Sequence, residues 1–293
     1  MVPALVHQYV QETLQATSGA TITRIRFSVV GGGSINDTYR VQTSTAEAFF
    51  CKINKVAGFP GLFESEKQGL ELLAAPGLIR VPRVIAAGET GQYQVLLVEF
   101  IEGGLKSDDF WKRFGEKLAA LHQVTQNRFG LSTNNYMGAL PQQNDPADDW
   151  CSFFQHRRLE PQVKRAVDNH LLDAQQARRF EGLYRQLPAI FEPEAPSLLH
   201  GDLWSGNFLC DEHQQPVLID PAVYYGHRSV DLGMTTLFGG FDPSFYESYQ
   251  YHHPLPPNYR EQWQVANVYP LLIHLNLFGK GYLPDILHAI EHY

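Results

Sequence analysis

Apolar residues recur at helical spacing at the start of the chain. Leu5, Val6, Tyr9, Val10 and Leu14 share one side of a helix predicted over residues 3–16. The period then shortens. Thr21–Val30, Thr38–Thr43 and Phe49–Asn54 read as strands, and the run Val95-Leu96-Leu97-Val98-Glu99-Phe100-Ile101 as another. Between the third strand and that run, Phe63, Glu66, Leu70 and Leu73 fall on one face of a helix. After Glu102-Gly103-Gly104 the pattern turns helical. Helices are predicted over Ser107–Val124, Trp150–Asn169 and Asp173–Leu187, near Asp231–Leu237, and over Asn258–Phe278 with a bend at Pro270. The change in period places a lobe boundary after Ile101, giving lobes of residues 1–101 and 102–293. There are no internal repeats, low-complexity runs or long linkers.

The candidate chemistry concentrates in two short segments. Leu199-His200-Gly201-Asp202-Leu203-Trp204-Ser205-Gly206-Asn207 puts an aspartate and an asparagine five residues apart on one loop. Val217-Leu218-Ile219-Asp220-Pro221 follows, an apolar run ending in a second carboxylate. A tight hairpin between the segments would bring Asp202, Asn207 and Asp220 to one point. That is the layout of a phosphoryl-transfer site, in which the first Asp meets the acceptor hydroxyl while the Asn and second Asp hold magnesium. His200 is expected to support the loop through hydrogen bonds. Asp231 has two open roles, holding the loop backbone or capping the next helix.

The upstream half supplies what such a site needs, in the right order. Gly31-Gly32-Gly33-Ser34-Ile35-Asn36 is either a plain hairpin turn or a glycine loop that lets backbone amides approach phosphates. Lys52 sits inside the apolar strand Phe49-Phe50-Cys51-Lys52-Ile53, where it can reach nucleotide phosphates. Glu66 is its better helix partner, because Glu64 projects from another face. The backbone of Glu99, Phe100 and Ile101 is either a hinge presented to an adenine edge or the end of a plain buried strand at a glycine turn. The expected fold is therefore α+β, two-lobed and protein kinase-like. It has a small antiparallel-sheet lobe that binds nucleotide and a larger, mainly helical lobe for catalysis and substrate.

Composition narrows the classes. A chain of 293 residues, 44% hydrophobic and 18% charged, is an ordinary globular enzyme and far from disorder. A net charge of −8 argues against a nucleic-acid surface, and no segment approaches eighteen uninterrupted apolar residues. Residues Met1 to Leu14 lack the basic start and apolar run of a signal peptide. Cys51, Cys151 and Cys210 are too dispersed for a disulfide framework or metal cluster, which suits a reducing, cytoplasmic setting.

The chain closely resembles the fructosamine kinase (ketosamine-3-kinase) family, part of the wider aminoglycoside phosphotransferase group. The likeness rests on His200–Asn207, Ile219–Arg228 with its Tyr-Tyr-Gly-His-Arg block, and Asp231–Phe241. It continues in Gln142-Gln143-Asn144, Trp150, Phe153-Phe154, Arg157-Arg158-Leu159 and Leu275–Gly279, and so covers almost the whole chain. It implies an ATP- and Mg2+-dependent kinase acting on the 3-hydroxyl of ketoamines, with free glycated amines or glycated protein as substrates. The phosphate tends to decompose and free the amine. Carried onto this chain, Asp202 is the catalytic base and Asn207 and Asp220 are magnesium ligands. Lys52 binds phosphate, Glu66 pairs with it, and Glu99, Phe100 and Ile101 hold adenine; Gly32, Gly33 and Ser34 of the glycine loop stay candidates for phosphate contact. Trp150, Phe153, Arg157 and Trp204 are candidates for an aromatic and cationic substrate wall. Some members carry a redox-active Cys in the glycine loop; Ser34 lies in that region here, so redox control is not carried over. Two readings stand beside this one: a kinase of another small hydroxylated amine such as an aminoglycoside, and a nucleotide-binding pseudokinase scaffold.

Overall fold

The computed structural model describes residues 2–19, 21–31 and 35–293. Two compact units emerge, one of Met1–Leu105 with Leu209–Ile219, the other of Lys106–Phe208 with Asp220–Tyr293. The sequence had assigned 209–219 to the second lobe, but the chain returns to the first unit there.

In the first unit, α1 (Ala4–Ser18) precedes β1 (Ile25–Val29), β2 (Asp37–Thr43) and β3 (Ala48–Lys55), then α2 (Leu62–Ala74), β4 (Val84–Thr90) and β5 (Tyr93–Glu99). The strands form one antiparallel sheet in the order β1-β2-β3-β5-β4. Val6, Val10 and Leu14 of α1 are buried with Val41, Cys51, Ile53, Val95 and Leu97. That face is the one the alternation of β3 and β5 predicts. Leu5 belongs to the outer side instead and is exposed. α2 packs against β4 and β5. β4 was not foreseen, because Val84-Ile85-Ala86-Ala87-Gly88 is partly buried throughout and shows no alternation.

The second unit begins with α3 (Asp108–His122), whose first turn is capped by Ser107 Oγ accepting from the Phe110 N–H. The hairpin of β6 (Asn135–Met137) and β7 (Leu140–Gln142) follows. The helix expected over Trp150–Asn169 is present but not uniform. α4 (Trp150–Phe153) passes into a π-helical turn, Phe154–Leu159, and then α5 (Glu160–Asp168). α6 (Ala174–Ile190) opens on a capping box between Asp173 and Gln176 and leads to β8 (Ser197–Leu199). After the Asp202 loop, β9 (Phe208–Cys210) and β10 (Pro216–Leu218) form a short hairpin. β11 (Tyr224–Gly226) then pairs antiparallel with β8. Five further helices complete the unit: α7 (Ser229–Leu237), α8 (Pro243–His252), α9 (Tyr259–Ala266), α10 (Val268–Phe278) and α11 (Leu283–Ala289).

The helix predicted over Asn258–Phe278 breaks at Asn267, not Pro270. Asn267 Nδ2 donates to the Gly233 carbonyl at 2.9 Å, turning the chain toward α7. Pro270 falls in the first turn of α10, where its missing N–H costs nothing. No described helix is long and apolar enough to cross a membrane.

Candidate active site

The second unit builds the candidate catalytic segment from the β8–β11 pair outward. Leu199 pairs with Tyr224, and the next rung is the Ala222 N–H donating to the His200 carbonyl at 2.8 Å. Gly201 has φ +84°, and a Cβ there would lie 2.1 Å from the Ala222 carbonyl oxygen. Only glycine lets the two loops approach this closely. Asp202 and Asp220 therefore leave adjoining strand ends. Asp220 itself adopts φ +54°, an uncommon conformation for a non-glycine residue.

Asp231 settles its two open roles in favour of the loop. Its Oδ2 accepts from the His200 N–H at 2.7 Å and its Oδ1 from the Gly201 N–H at 2.8 Å. His122 Nε2 lies 3.2 Å from Oδ2, and its Nδ1 lies 2.8 Å from the Tyr249 hydroxyl. Burial would raise the Asp231 pKa, but His122, His200 and the Gly201 N–H together hold it below the usual carboxylate value. The His122 contribution was not visible in sequence, since it arrives from a helix 109 residues upstream. His200 Nδ1 accepts from the Asp202 N–H at 3.2 Å, the supporting role expected of it.

Asn207 Nδ2 donates both to the Asp202 backbone carbonyl, at 2.8 Å, and to its Oδ2, at 2.9 Å. Both bonds use the NH2 end of the amide, so Oδ1 is the end that could ligate a cation. Asp220 lies close enough that its charge acts on Asp202. Burial, opposed by the Asn207 amide and reinforced by Asp220 and Asp231, pushes the Asp202 carboxyl up to about 7. An amide oxygen and a carboxylate are the hard oxygen donors that Mg2+ takes, with phosphates and water completing its shell. The residues present thus fit a magnesium–nucleotide site.

The first unit carries the residues expected to bind nucleotide. Lys52, 4% exposed at the middle of β3, donates to Glu66 Oε1 at 2.7 Å. Glu64 turns instead to Lys67 and Gln68. Gly32, Gly33 and Ser34 lie outside the described residues, though their flanks are anchored. Thr38 Oγ1 donates to the Val30 carbonyl at 2.6 Å, and Asn54 Nδ2 to Asn36 Oδ1 at 2.6 Å. At the end of β5, Glu99 gives its N–H to the Arg83 carbonyl and its carboxylate to Arg80. Phe100 lies under the Arg40 guanidinium at 4.4 Å. Ile101 is buried.

The candidate substrate residues separate. Trp204 is 36% exposed on the catalytic loop, edge-on to Phe238 at 5.8 Å. Arg157 is partly exposed and lies 3.6 Å from Asp145. Trp150 is 4% exposed and stacked on Phe154 at 5.0 Å, among Phe153, Phe191 and His227. It and the fully buried Phe153 belong to the core rather than to an open wall. Helix-borne aromatics three apart lie on one face, and here that face is the inner one.

The five-stranded antiparallel sheet with its Lys52–Glu66 pair, and the mainly helical unit with its Asp202–Asn207 pair, are those of a protein kinase-like fold. Comparison with known proteins gives the particular family. The fructosamine kinase profile matches residues 6–293. A protein of Enterococcus faecium named a probable ketoamine kinase is 39% identical over 90% of this chain and 94% of its own length. The chloroplastic protein-ribulosamine 3-kinase of Arabidopsis thaliana is 37% identical over 94% of this chain and 85% of its own. A Thermobifida fusca crystal structure assigned to fructosamine-3-kinase superposes with a TM-score of 0.87 at 29% identity, covering 96% of this chain and 97% of that one. The chain belongs to the fructosamine kinase family and is a kinase with ATP as its phosphoryl donor.

Proposed function

We propose that this chain transfers the γ-phosphoryl of Mg-ATP to the 3-hydroxyl of ketoamines, the adducts left when an aldose glycates an amine. The observation that carries the reading is the Asp202–Asn207 pairing beside Asp220, within a chain whose relatives are named ketoamine and ribulosamine kinases. In this reading Asp202 accepts a hydrogen bond from the sugar hydroxyl, aligns its oxygen with phosphorus and takes the proton late. A carboxylate cannot deprotonate an alcohol beforehand, because its pKa lies many units lower even when raised to about 7. Asn207 Oδ1 and Asp220 would hold Mg2+, which when bound would supply charge neutralisation at the phosphates. Lys52, oriented by Glu66, offers its ammonium to the phosphate oxygens, and Gly32, Gly33 and Ser34 offer backbone amides. The backbone groups of Phe100 and Ile101 make no hydrogen bond among the described residues, which leaves them for an adenine edge. Glu99 contributes through its strand end.

Trp204 is the surface on which we place the sugar, with Arg157 further out as a cationic contact. Trp150 acts through packing alone. A phosphate at C3 makes the product labile. Enolisation toward C1 expels it as inorganic phosphate, and hydrolysis of the remaining carbon–nitrogen bond frees the amine and leaves a 3-deoxy dicarbonyl. The three free cysteines fit a reducing, cytoplasmic setting. The test is ATP consumption with Mg2+ over fructosamine, ribulosamine and erythrulosamine adducts, with aminoglycosides as comparators. Turnover on a ketoamine is the expected result. Turnover on aminoglycosides alone would move the substrate class, and ATP binding without any turnover would indicate a scaffold.

A further inference from the structure

One buried group has no part in the chemistry described so far. Arg158 is fully buried, yet no carboxylate among the described residues pairs with it. The π-helical turn Phe154–Leu159 carries it inward, while its neighbour Arg157 stays at the surface. Such turns are rare and tend to mark functional positions. The guanidinium lies over the Tyr224 ring at 3.9 Å and the Phe153 ring at 4.6 Å, and donates to the Gln143 carbonyl. A buried cation is costly unless its donors are used for something.

The bonds beyond Arg158 run in one direction. Arg158 Nη2 donates to Asn144 Oδ1 at 2.7 Å. Because a guanidinium can only donate, it fixes which end of the Asn144 amide faces it. The Asn144 NH2 is thereby turned to Asn135 Oδ1 at 2.9 Å, and Asn135 in turn gives its NH2 to the Val223 carbonyl at 2.8 Å. A second branch starts from the Tyr269 hydroxyl, which donates to Gln142 Oε1 at 2.8 Å. Gln142 Nε2 then donates to Asn135 Oδ1 at 2.9 Å and to the Ala222 carbonyl at 3.1 Å. Both branches end on backbone carbonyls two and three residues after Asp220. The Ala222 carbonyl is also the atom against which Gly201 is pressed.

We propose that Arg158, Asn144, Asn135, Gln142 and Tyr269 form a positioning relay that sets the Ala222–Val223 backbone and thereby aims Asp220 at the metal–nucleotide. These are positioning residues, since none meets the reacting atoms; the inference rests on the magnesium role proposed for Asn207 and Asp220. A purely structural network would stabilise the fold and leave metal use untouched. The relay instead couples the orientation of each amide to the ligand carboxylate, as supporting hydrogen bonds do around metal sites generally.

The experiment measures ATP affinity by calorimetry with and without Mg2+, in an Asp202→Asn background so that nothing turns over. Arg158→Lys keeps the charge but loses the planar fork, and Tyr269→Phe removes one hydroxyl with no change of shape. The expected result is that the Mg2+-dependent gain in ATP affinity shrinks, about 10-fold or more in Arg158→Lys and less in Tyr269→Phe, while Mg2+-free ATP affinity is retained. Melting temperature is recorded for each, and Tyr269→Phe carries the test should Arg158→Lys not fold. An unchanged Mg2+ gain in the folded variants, whatever happens to the melting temperature, overturns the relay. A parent protein with no Mg2+ gain at all removes the metal site itself, and the relay with it; that outcome is distinct because the variants are then irrelevant.

Discussion

The two compact units each bury a cation, Lys52 in the first and Arg158 in the second, and hold it differently. In the first, each inward-facing cation meets carboxylates: Lys52 meets Glu66, and Arg80 meets both Glu99 and Asp211. In the second, Arg228 also meets a carboxylate, Glu194, but Arg158 is buried against aromatic rings, amide oxygen and backbone carbonyl, and the carboxylate Asp231 is spent on backbone N–H groups. The difference follows from what each region has to fix. An opposite charge fixes the direction of one long side chain, as Glu66 does for Lys52. Two loops that must meet within a hydrogen bond's length need their backbones held, which Asp231 does from one side and the Asn135 and Gln142 amides from the other.

The largest expected effect tests the catalytic side of this contrast. Asp202→Asn should lower turnover by about 10²–10⁴-fold while ATP affinity, read by calorimetry, stays within about two-fold. Equal loss of binding and turnover would mean that Asp202 holds the site together rather than meeting the acceptor. The aromatic residues of the second unit come next. Trp150→Ala should cost about 3–5 kcal/mol in a denaturant melt, as a core truncation does. Trp204→Ala should leave the melt unchanged and raise the ketoamine KM about 10-fold, the value of one lost aromatic contact. An exchange of these two behaviours would restore Trp150 to the substrate wall.

A pH effect of similar kind follows from the buried interior. Burial holds His227 neutral, its pKa lowered to about 4 despite Glu194 at 3.6 Å. Below pH 6.5 the unfolded chain takes up a proton that the folded chain refuses. Stability is therefore full above that pH and falls by about 3 kcal/mol as pH drops toward 4. His227→Gln should flatten that part of the profile, and a slope left unchanged would place the titration elsewhere. In the first unit, Glu66→Ala removes the carboxylate 2.7 Å from a lysine that is 4% exposed, which should cost about 2 kcal/mol. The smallest effect is an absence. Cys51 is fully buried with its thiol pushed up to about 12, so a polar maleimide should leave it unmodified at neutral pH in the folded protein. Rapid labelling there would reopen redox control.

The same contrast explains what was legible in the sequence. The Lys52–Glu66 and Asp202–Asn207 pairings could be foreseen because each residue sits on a local pattern: a strand position, a helix face, a loop of fixed spacing. The paired strands β1, β2, β3 and β5 and most helices were legible for that reason too. β4 was not, since a strand partly buried on both faces has no alternation to see. Nor could spacing foretell that Asn267 rather than Pro270 would break the last long helix, because the deciding bond goes to Gly233. Arg157 and Arg158 are indistinguishable as letters, and one extra residue in a helical turn sends only the second inward. His122 and Tyr269 reach the catalytic segment from distant helices, so only the fold assembles them.

The most direct test is the identity of the product. Phosphorus and proton magnetic resonance on a fructosamine incubated with Mg-ATP and the wild-type chain should reveal a phosphate ester coupled to the C3 proton. That signal should be absent with Asp202→Asn and be followed by slow release of inorganic phosphate and free amine. A phosphate coupled to any other carbon, or ATP hydrolysis to inorganic phosphate with no ester formed, would contradict a ketoamine 3-kinase.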